Sequence, residues 1–368
     1  MEKVSIIFPV YKNGKVVEAI ETLQQDPYPN KEFIVVVSSP EKEFLEKLNR
    51  IKKLQNVKLI IHKERTGKIN AVHEAVEYAT GSIFIFFDAD IVPAKFNIEE
   101  VVKACKEYEL VEFVKVIVPE NIIGKLMHIE YFGYFGILQV VASKIKKSIL
   151  LNGAGFAVRR EVWEKLGGYR KMIIEDVDFA TRVYLMGGRY HLLENAILWD
   201  DPVPNWRKWI DQRKRWAYGG VEWFVHYPKT IILFSLKHPL WLLAYIVFLN
   251  PAILLYLLMS LIPQDLWYNL ALSFLIILST KFSPLLFFIL PLTFAQSIIK
   301  GFIFFFSLVV MFLVLYEIVY KIRWKKFVNP LWILGYVLIY SPLWLLIIIS
   351  MILHYIIFER PPKMDWKI

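Results

Sequence analysis

Apolar positions along this chain fall into two regimes. Up to about residue 238, short apolar runs alternate with amphipathic, charge-rich stretches. Val4–Val10 and Phe33–Val37 predict strands, the second an unbroken run of the kind buried on both faces of a parallel sheet. Val57–His62 and Ile83–Phe87 predict two more. Between them, Gly14–Gln24, Glu41–Lys53 and Lys68–Ala79 have helical spacing, the last stopped by Thr80-Gly81. Strand–helix alternation predicts an α/β domain with a mostly parallel, doubly wound sheet, whose ligands sit beyond the carboxyl ends of the strands. Asp88 and Asp90 fall at such an end.

From residue 239 the chain is mostly hydrocarbon-like, with apolar stretches at 239–262, 266–299, 301–320 and 331–357. Lys281, Pro284 and Pro291 interrupt the second, and Ser341-Pro342 lies in the last. The expected division is a cytosolic domain over 1–225 with interfacial helices, then a helical transmembrane domain over 226–368 with about four spans. The basic loop Lys321–Lys326 and the Arg360–Lys367 tail are expected to face the cytosol. Leu126–Val141 is apolar but broken by His128, Glu130 and Gln139, which suits a helix lying in the membrane interface; a buried core helix is the alternative. Trp206-Arg207-Lys208-Trp209 and Trp223-Phe224 add the aromatic and basic residues expected at headgroup level.

Composition sharpens this picture. Of 368 residues, 56% are hydrophobic, too many for an ordinary soluble protein. The formal net charge of +10 fits anionic lipid, nucleic acid or phosphorylated substrates. Nucleic acid is set aside because neither zinc-finger spacing nor an RNP-like motif is present. A single cysteine, Cys105, allows no internal disulfide and suits the cytosolic side of a cell membrane. Val4–Val10 is too short for the apolar region of a secretory signal.

Three clusters carry candidate chemistry. In an extended chain residues i and i+2 face the same way, so Asp88 and Asp90 can present two carboxylates to one Mg²⁺ or Mn²⁺; acidic residues also end strands as simple turn formers. Lys68, at a helix start after Thr66-Gly67, can meet a phosphate there or be an ordinary solvated lysine. Glu175-Asp176 precedes the helical stretch Phe179–Met186, where Asp176 is a general base or only a helix cap. On a helix, Gln212, Arg215 and Trp216 share a face, with Arg215 suited to phosphate and Trp216 to a sugar face; Arg213 and Lys214 fit an amphipathic helix resting on lipid.

Taken in order, Phe8-Pro9-Val10-Tyr11, Gly67-Lys68-Ile69-Asn70-Ala71, Asp88-Ala89-Asp90 and Glu130-Tyr131 resemble family-2 glycosyltransferases. Gly153–Arg160, Gly167-Gly168-Tyr169, Glu175-Asp176 and Gln212–Trp216 continue the likeness, which is to the membrane-integrated, processive-type branch of cellulose, chitin and hyaluronan synthases. The resemblance implies a GT-A (Rossmann-like) fold and a nucleotide-diphosphate sugar donor. It implies a divalent metal at Asp88 and Asp90, inversion with Asp176 as base beside Glu175, and donor contacts at Pro9, Tyr11, Lys68 and Asp88. It places Gln212, Arg215 and Trp216 at the diphosphate and the acceptor end. The implied partners are the nucleotide sugar, a glycan or lipid-linked acceptor and membrane lipid, with homo-oligomerisation left open. Two departures stand out. The second strand ends Val37-Ser38-Ser39, where the family usually has an aspartate near the nucleobase, and transmembrane helices ahead of the first strand are lacking.

Two rivals share these features. A polyprenyl-phosphate sugar synthase also joins a soluble front to a membrane tail, but such enzymes usually lack the Gln-x-x-Arg-Trp cluster. A membrane transport protein with a nucleotide-binding front domain has no use for a general base at Asp176.

Overall fold

The computed structural model describes residues 1–249, 251–260, 292–358 and 360–362. It divides into two compact units, Met1–Phe248 with Leu346–Ile368, and Leu249–Leu345. The first unit is built on an eight-stranded sheet of order β3-β2-β1-β4-β7-β6-β8-β5. The strands are β1 (Val4–Tyr11), β2 (Lys31–Ser38), β3 (Val57–His62), β4 (Ile83–Phe87), β5 (Val92–Lys95), β6 (Leu110–Ile117), β7 (Gly155–Arg159) and β8 (Tyr190–Asp200).

β1 to β4 pair in parallel, as the strand–helix alternation predicts. Ile6, Ile7 and Phe8 are all fully buried, so β1 is covered on both faces. The ladder between β1 and β4 ends at Ile7 and Phe86. Pro9, which has no N–H to give, therefore lies past the last β4 pairing. The rest of the sheet departs from the mostly parallel expectation. β7 pairs antiparallel with both β4 and β6, and β5 pairs antiparallel with β8, leaving β6 with β8 as the one further parallel pair among the described residues. Hydrophobic pattern reports burial and not strand direction, so this mixture was not readable. β5, Val-Pro-Ala-Lys with its last two residues exposed, is an edge strand with almost no apolar signal.

The Leu126–Val141 stretch divides into helix Ile122–Tyr131, a π-helical segment Phe132–Leu138 and helix Gln139–Lys144. Leu126, Ile129, Tyr131, Phe132, Phe135 and Leu138 are buried, so burial follows the core-helix alternative. Its polar breaks are used internally. Gln139 donates to Tyr134 and accepts from Ser148 Oγ, and His128 Nδ1 lies 2.9 Å from the Ile117 carbonyl oxygen.

Within the second unit, the Ala252 N–H donates to Ser341 Oγ (3.1 Å) and the Tyr336 hydroxyl to the Leu249 carbonyl (3.2 Å). Phe304–Trp324 and Pro330–Phe358 are long and apolar enough to cross a membrane; the 21 residues of the first span about 30 Å. Pro228–Lys237 and Pro239–Leu249 are bent by 100° and add a third crossing if they act as one span. Most of the 266–299 stretch, with its Lys281, Pro284 and Pro291, lies outside the described residues, as does the end of the Arg360–Lys367 tail.

Behind the carboxyl ends of the central strands, Phe86 stacks on Phe156 at 4.8 Å and on Trp163 at 4.6 Å. Phe86→Ala is expected to destabilise the protein by about 3–5 kcal/mol, since it deletes a buried ring whose neighbours are themselves rigid aromatics. Denaturation of detergent-solubilised protein checks this; a loss below about 1 kcal/mol would mean that the cluster collapses around the gap.

Candidate active site

A cavity of about 400 Å³ opens where the parallel strands end. Pro9 and Tyr11 of β1, Ser38 of β2, Lys68, and Asp88 and Asp90 from the loop after β4 all line it. Arg215 reaches it from helix Trp206–His226. Residues far apart in sequence meet here because parallel strands put all their carboxyl ends on one side.

The strongest organising contact is Lys68. Its Nζ lies 2.8 Å from Asp88 Oδ1 and 3.0 Å from Glu175 Oε1. Burial alone pulls the Lys68 pKa down, but Asp88, Glu175, Tyr169 and Asp176 outweigh it, and the ammonium is held well above the usual lysine range. Lys68 is thus no solvated surface lysine. It joins the strand-end loop to the start of helix Glu175–Leu185.

Asp90 is exposed at the cavity, although the protein packed around its carboxyl costs it some hydration. That desolvation, followed by the charge of Asp200, pushes its carboxyl up to about 7, against the opposing pull of Lys115. Lys115 Nζ lies 2.6 Å from Asp200 Oδ2, so this one buried ammonium serves two carboxylates. A divalent cation fits such a site, because Asp88 and Asp90 are hard oxygen donors on one cavity wall. Among the described residues no group of three or more His, Cys, Asp or Glu side chains forms a metal cage. Two carboxylates leave the other positions of a Mg²⁺ to waters and ligand oxygens.

Asp176 stands in the first turn of its helix, whose N-cap position is Ile174. One carboxylate oxygen accepts from the Val177 N–H at 2.9 Å, which serves the helix start; the other accepts from the Gly153 N–H at 2.7 Å, across to the turn before β7. A Cβ at position 153 would sit 2.8 Å from Asp176 Oδ2, so only glycine admits this approach. Burial first, then Glu175, pushes Asp176 up to about 6; Lys68 and the two amides oppose that rise.

On helix Trp206–His226, Gln212 Oε1 is buried with no hydrogen-bond partner among the described residues. Arg215 feels Glu175, Asp88, Asp176 and Asp90, but burial outweighs them and lowers its pKa. Gln212, Trp216, Glu175 and Asp176 are not part of the cavity wall; Lys68 and Arg215 connect it to them. Arg213 corrects the sequence-based expectation. It faces the interior, fully buried, ion-paired to Glu130 and 4.2 Å from the centre of the Trp216 ring. A helix pattern read for lipid contact cannot show that a charged residue's partner lies 83 positions away.

Some cavity residues were missed. Arg65 lies over the Tyr11 ring at 4.4 Å, and Ser38 Oγ bonds Thr66 Oγ1 at 2.6 Å. Arg65 carries no sequence signal beyond adjacency to Gly67-Lys68, and Ser38 drew notice only as a departure at the end of the second strand, without its Thr66 partner. Asp200 ends β8, a strand that was not recognised, so its place beside Asp90 was hidden.

Residues 5–167 match the model of glycosyl transferase family 2. The chain is 26% identical over 233 residues to the probable glycosyltransferase YdaM of Bacillus subtilis, covering 60% of this chain and 56% of that protein. It is 24% identical over 233 residues to the poly-beta-1,6-N-acetyl-D-glucosamine synthase of Staphylococcus epidermidis, covering 60% and 55%. The chain thus spans little more than half the length of the curated relatives it matches. The structure of mannosyltransferase PcManGT from Pyrobaculum calidifontis in complex with GDP-Man and Mn2+ superposes with a TM-score of 0.54 at 22% identity, over 82% of this chain and 86% of that one. The first unit is accordingly a GT-A-like mixed α/β fold.

Arg213 separates a lipid-facing helix from a packed one. Arg213→Met is expected to cost about 3–5 kcal/mol by stranding the Glu130 carboxylate, whereas pairing it with Glu130→Leu recovers most of that loss. Denaturation of the single and double variants reads this directly; equal stability of wild type and Arg213→Met would put the side chain at the lipid surface.

Proposed function

We propose that this chain, which carries a family-2 glycosyltransferase domain over residues 5–167, is an inverting, metal-dependent membrane glycosyltransferase. It moves a sugar from a nucleoside-diphosphate donor to a glycan or glycolipid acceptor at the cytosolic face. The observation that supports the reading is the bridge from Asp88 through Lys68 to Glu175, which ties the loop lining the cavity to the start of the helix that carries the candidate base, Asp176. The Mn2+ and GDP-Man of the superposed mannosyltransferase support a metal-bound nucleotide sugar, and the poly-N-acetylglucosamine synthases support a glycan product.

In this reading Tyr11 and Pro9 border the nucleoside, and Asp88 and Asp90 hold a divalent cation. When bound, that cation supplies positive charge to the diphosphate. Asp176 takes the proton of the acceptor hydroxyl while its oxygen bonds to the anomeric carbon. The bond from that carbon to the β-phosphate oxygen breaks, and the nucleoside diphosphate leaves with the electron pair. Arg215 and Lys68 stand where they neutralise the developing charge. The unsatisfied Gln212 Oε1 and the Trp216 ring are suited to a sugar's hydroxyls and apolar face. The membrane part is read as a multi-pass domain of about four spans in the plasma membrane. A polyprenyl-phosphate sugar synthase would yield one lipid-linked sugar, so sizing the product of purified enzyme separates the readings.

Asp176→Asn is expected to keep donor binding and lose transfer by about two to four orders of magnitude. In the wild type, transfer should fall as pH drops through about 6, because the base works only when ionised and its carboxyl is pushed up to about 6. Near wild-type turnover by the variant would leave Asp176 as a helix cap. Chelation provides an independent check: excess EDTA should abolish transfer and added Mg²⁺ or Mn²⁺ restore it, and full turnover in EDTA would remove the metal from Asp88 and Asp90.

A further inference from the structure

Next to the catalytic constellation, and outside it, lies a second carboxyl that the reaction does not use. Glu112, on β6, is fully buried. Its Oε1 accepts from the Asn152 backbone N–H at 2.6 Å, and its Oε2 meets the Tyr190 hydroxyl of β8 at 2.5 Å. Tyr134, from the π-helical segment, stands at 3.4 Å and is itself held by Gln139. The next amide along the chain, Gly153 N–H, is the one that donates to Asp176. Two consecutive backbone N–H groups are thus gripped by two different carboxyls, one on the sheet and one on the candidate base.

We propose that Glu112 is a positioning residue for Asp176, clamping the Asn152-Gly153 turn so that the Gly153 amide is aimed at the base. The inference rests on the reading of Asp176 as the base. The turn needs such a clamp because no repeating ladder holds it: β7 begins only at Gly155. A polar side chain in a strand interior is costly unless it is satisfied, and here the two close partners are the Asn152 amide of the turn and the Tyr190 hydroxyl of β8, with Tyr134 of the π-helical segment farther off. Burial, partly offset by Tyr190 and Asn152 and reinforced by the Asp176 charge, pushes Glu112 up to about 8. The upward shift weakens the charge that Glu112 sets against ionisation of the base. The groups facing Asp176 are Glu175 on its own helix, Lys68, Arg215, Tyr169, Tyr134 of the π-helical segment and, through the turn, Glu112. Those facing Glu112 are Tyr190, Tyr134 and Asp176.

The clamp predicts a distinctive pattern. The Gly153 N–H stabilises the ionised form of Asp176, so loosening the turn raises the pKa of the base. With purified full-length protein, Glu112→Ala should lower kcat roughly ten- to hundred-fold with donor KM unchanged. The acidic limb of its pH profile should move upward by about one unit. Tyr190→Phe, which keeps the ring and removes one hold on the carboxyl, should give a smaller shift in the same direction. Glu112→Gln still accepts from Asn152 and should restore kcat and the limb to near wild type. An unmoved acidic limb in both Glu112→Ala and Tyr190→Phe would overturn the proposal, as would a loss in Glu112→Gln as deep as in Glu112→Ala. Asp176→Asn is run alongside. If it still transfers, the base reading fails; if it is dead while the Glu112 and Tyr190 variants behave as wild type, only the clamp fails.

Discussion

One ammonium holds this site together. Lys68 Nζ lies within 3.0 Å of carboxylates from two separate elements, the loop after β4 and the start of helix Glu175–Leu185. Without it, Asp88 and Glu175 would face each other across a poorly hydrated cleft, and like charges in such surroundings are mutually destabilising. The same contact explains why Glu175, only 4% exposed, is tolerated where an isolated buried carboxylate would not be.

The balance of charge across the cleft follows from that arrangement. Lys68 is shared on one side and Lys115 on the other, where Asp200 takes it at 2.6 Å and leaves Asp90 undersupplied. The protein thus carries more carboxylate here than its own cations neutralise. Such a deficit is costly for an empty site and favourable for one that receives a divalent cation together with a diphosphate. Arg215, whose pKa burial lowers in spite of four nearby carboxylates, belongs to the same economy: it is kept in a drier place than its charge prefers, where a phosphate would repay it.

Much of this was legible in the chain. The four parallel strands were found to within a residue or two: burial on both faces writes an apolar run into β1, β2 and β4, whereas β3 is a partly exposed edge strand, and Asp88 and Asp90 follow the last of them visibly. β5, β6, β7 and β8 were not found. β5 is a four-residue edge strand, and β8 mixes exposed Glu194 and Asn195 into its middle, so neither of these two shows a clean period. Missing β8 hid Asp200 and Tyr190, and with them both the Asp90 neighbourhood and the Glu112 network. Arg213 and Glu130 were each quoted in the sequence for other reasons. Their pairing depends on how two distant helices pack, which a one-dimensional pattern does not contain.

The helix Trp206–His226 shows how these separate contacts add up to a constraint on Arg215. In its middle, Arg213 is tied to Glu130. Near its C-terminus, Trp223 Nε1 donates to Thr181 Oγ1 at 2.9 Å, and the Tyr227 hydroxyl just beyond donates to Asp178 at 2.7 Å. Between them the helix backbone comes so close to the chain before Glu175 that a Cβ at Gly219 would lie 2.7 Å from Ile174 Cγ2. Asp178 and Thr181 are on the helix that carries Asp176, so the last two ties run to the element that also bears the candidate base. A helix lying loosely on lipid would need none of these. Fastened to the Asp176 helix, it sets Arg215 relative to Asp176 through two rigid elements, leaving the Arg215 side chain itself as the part that can adjust.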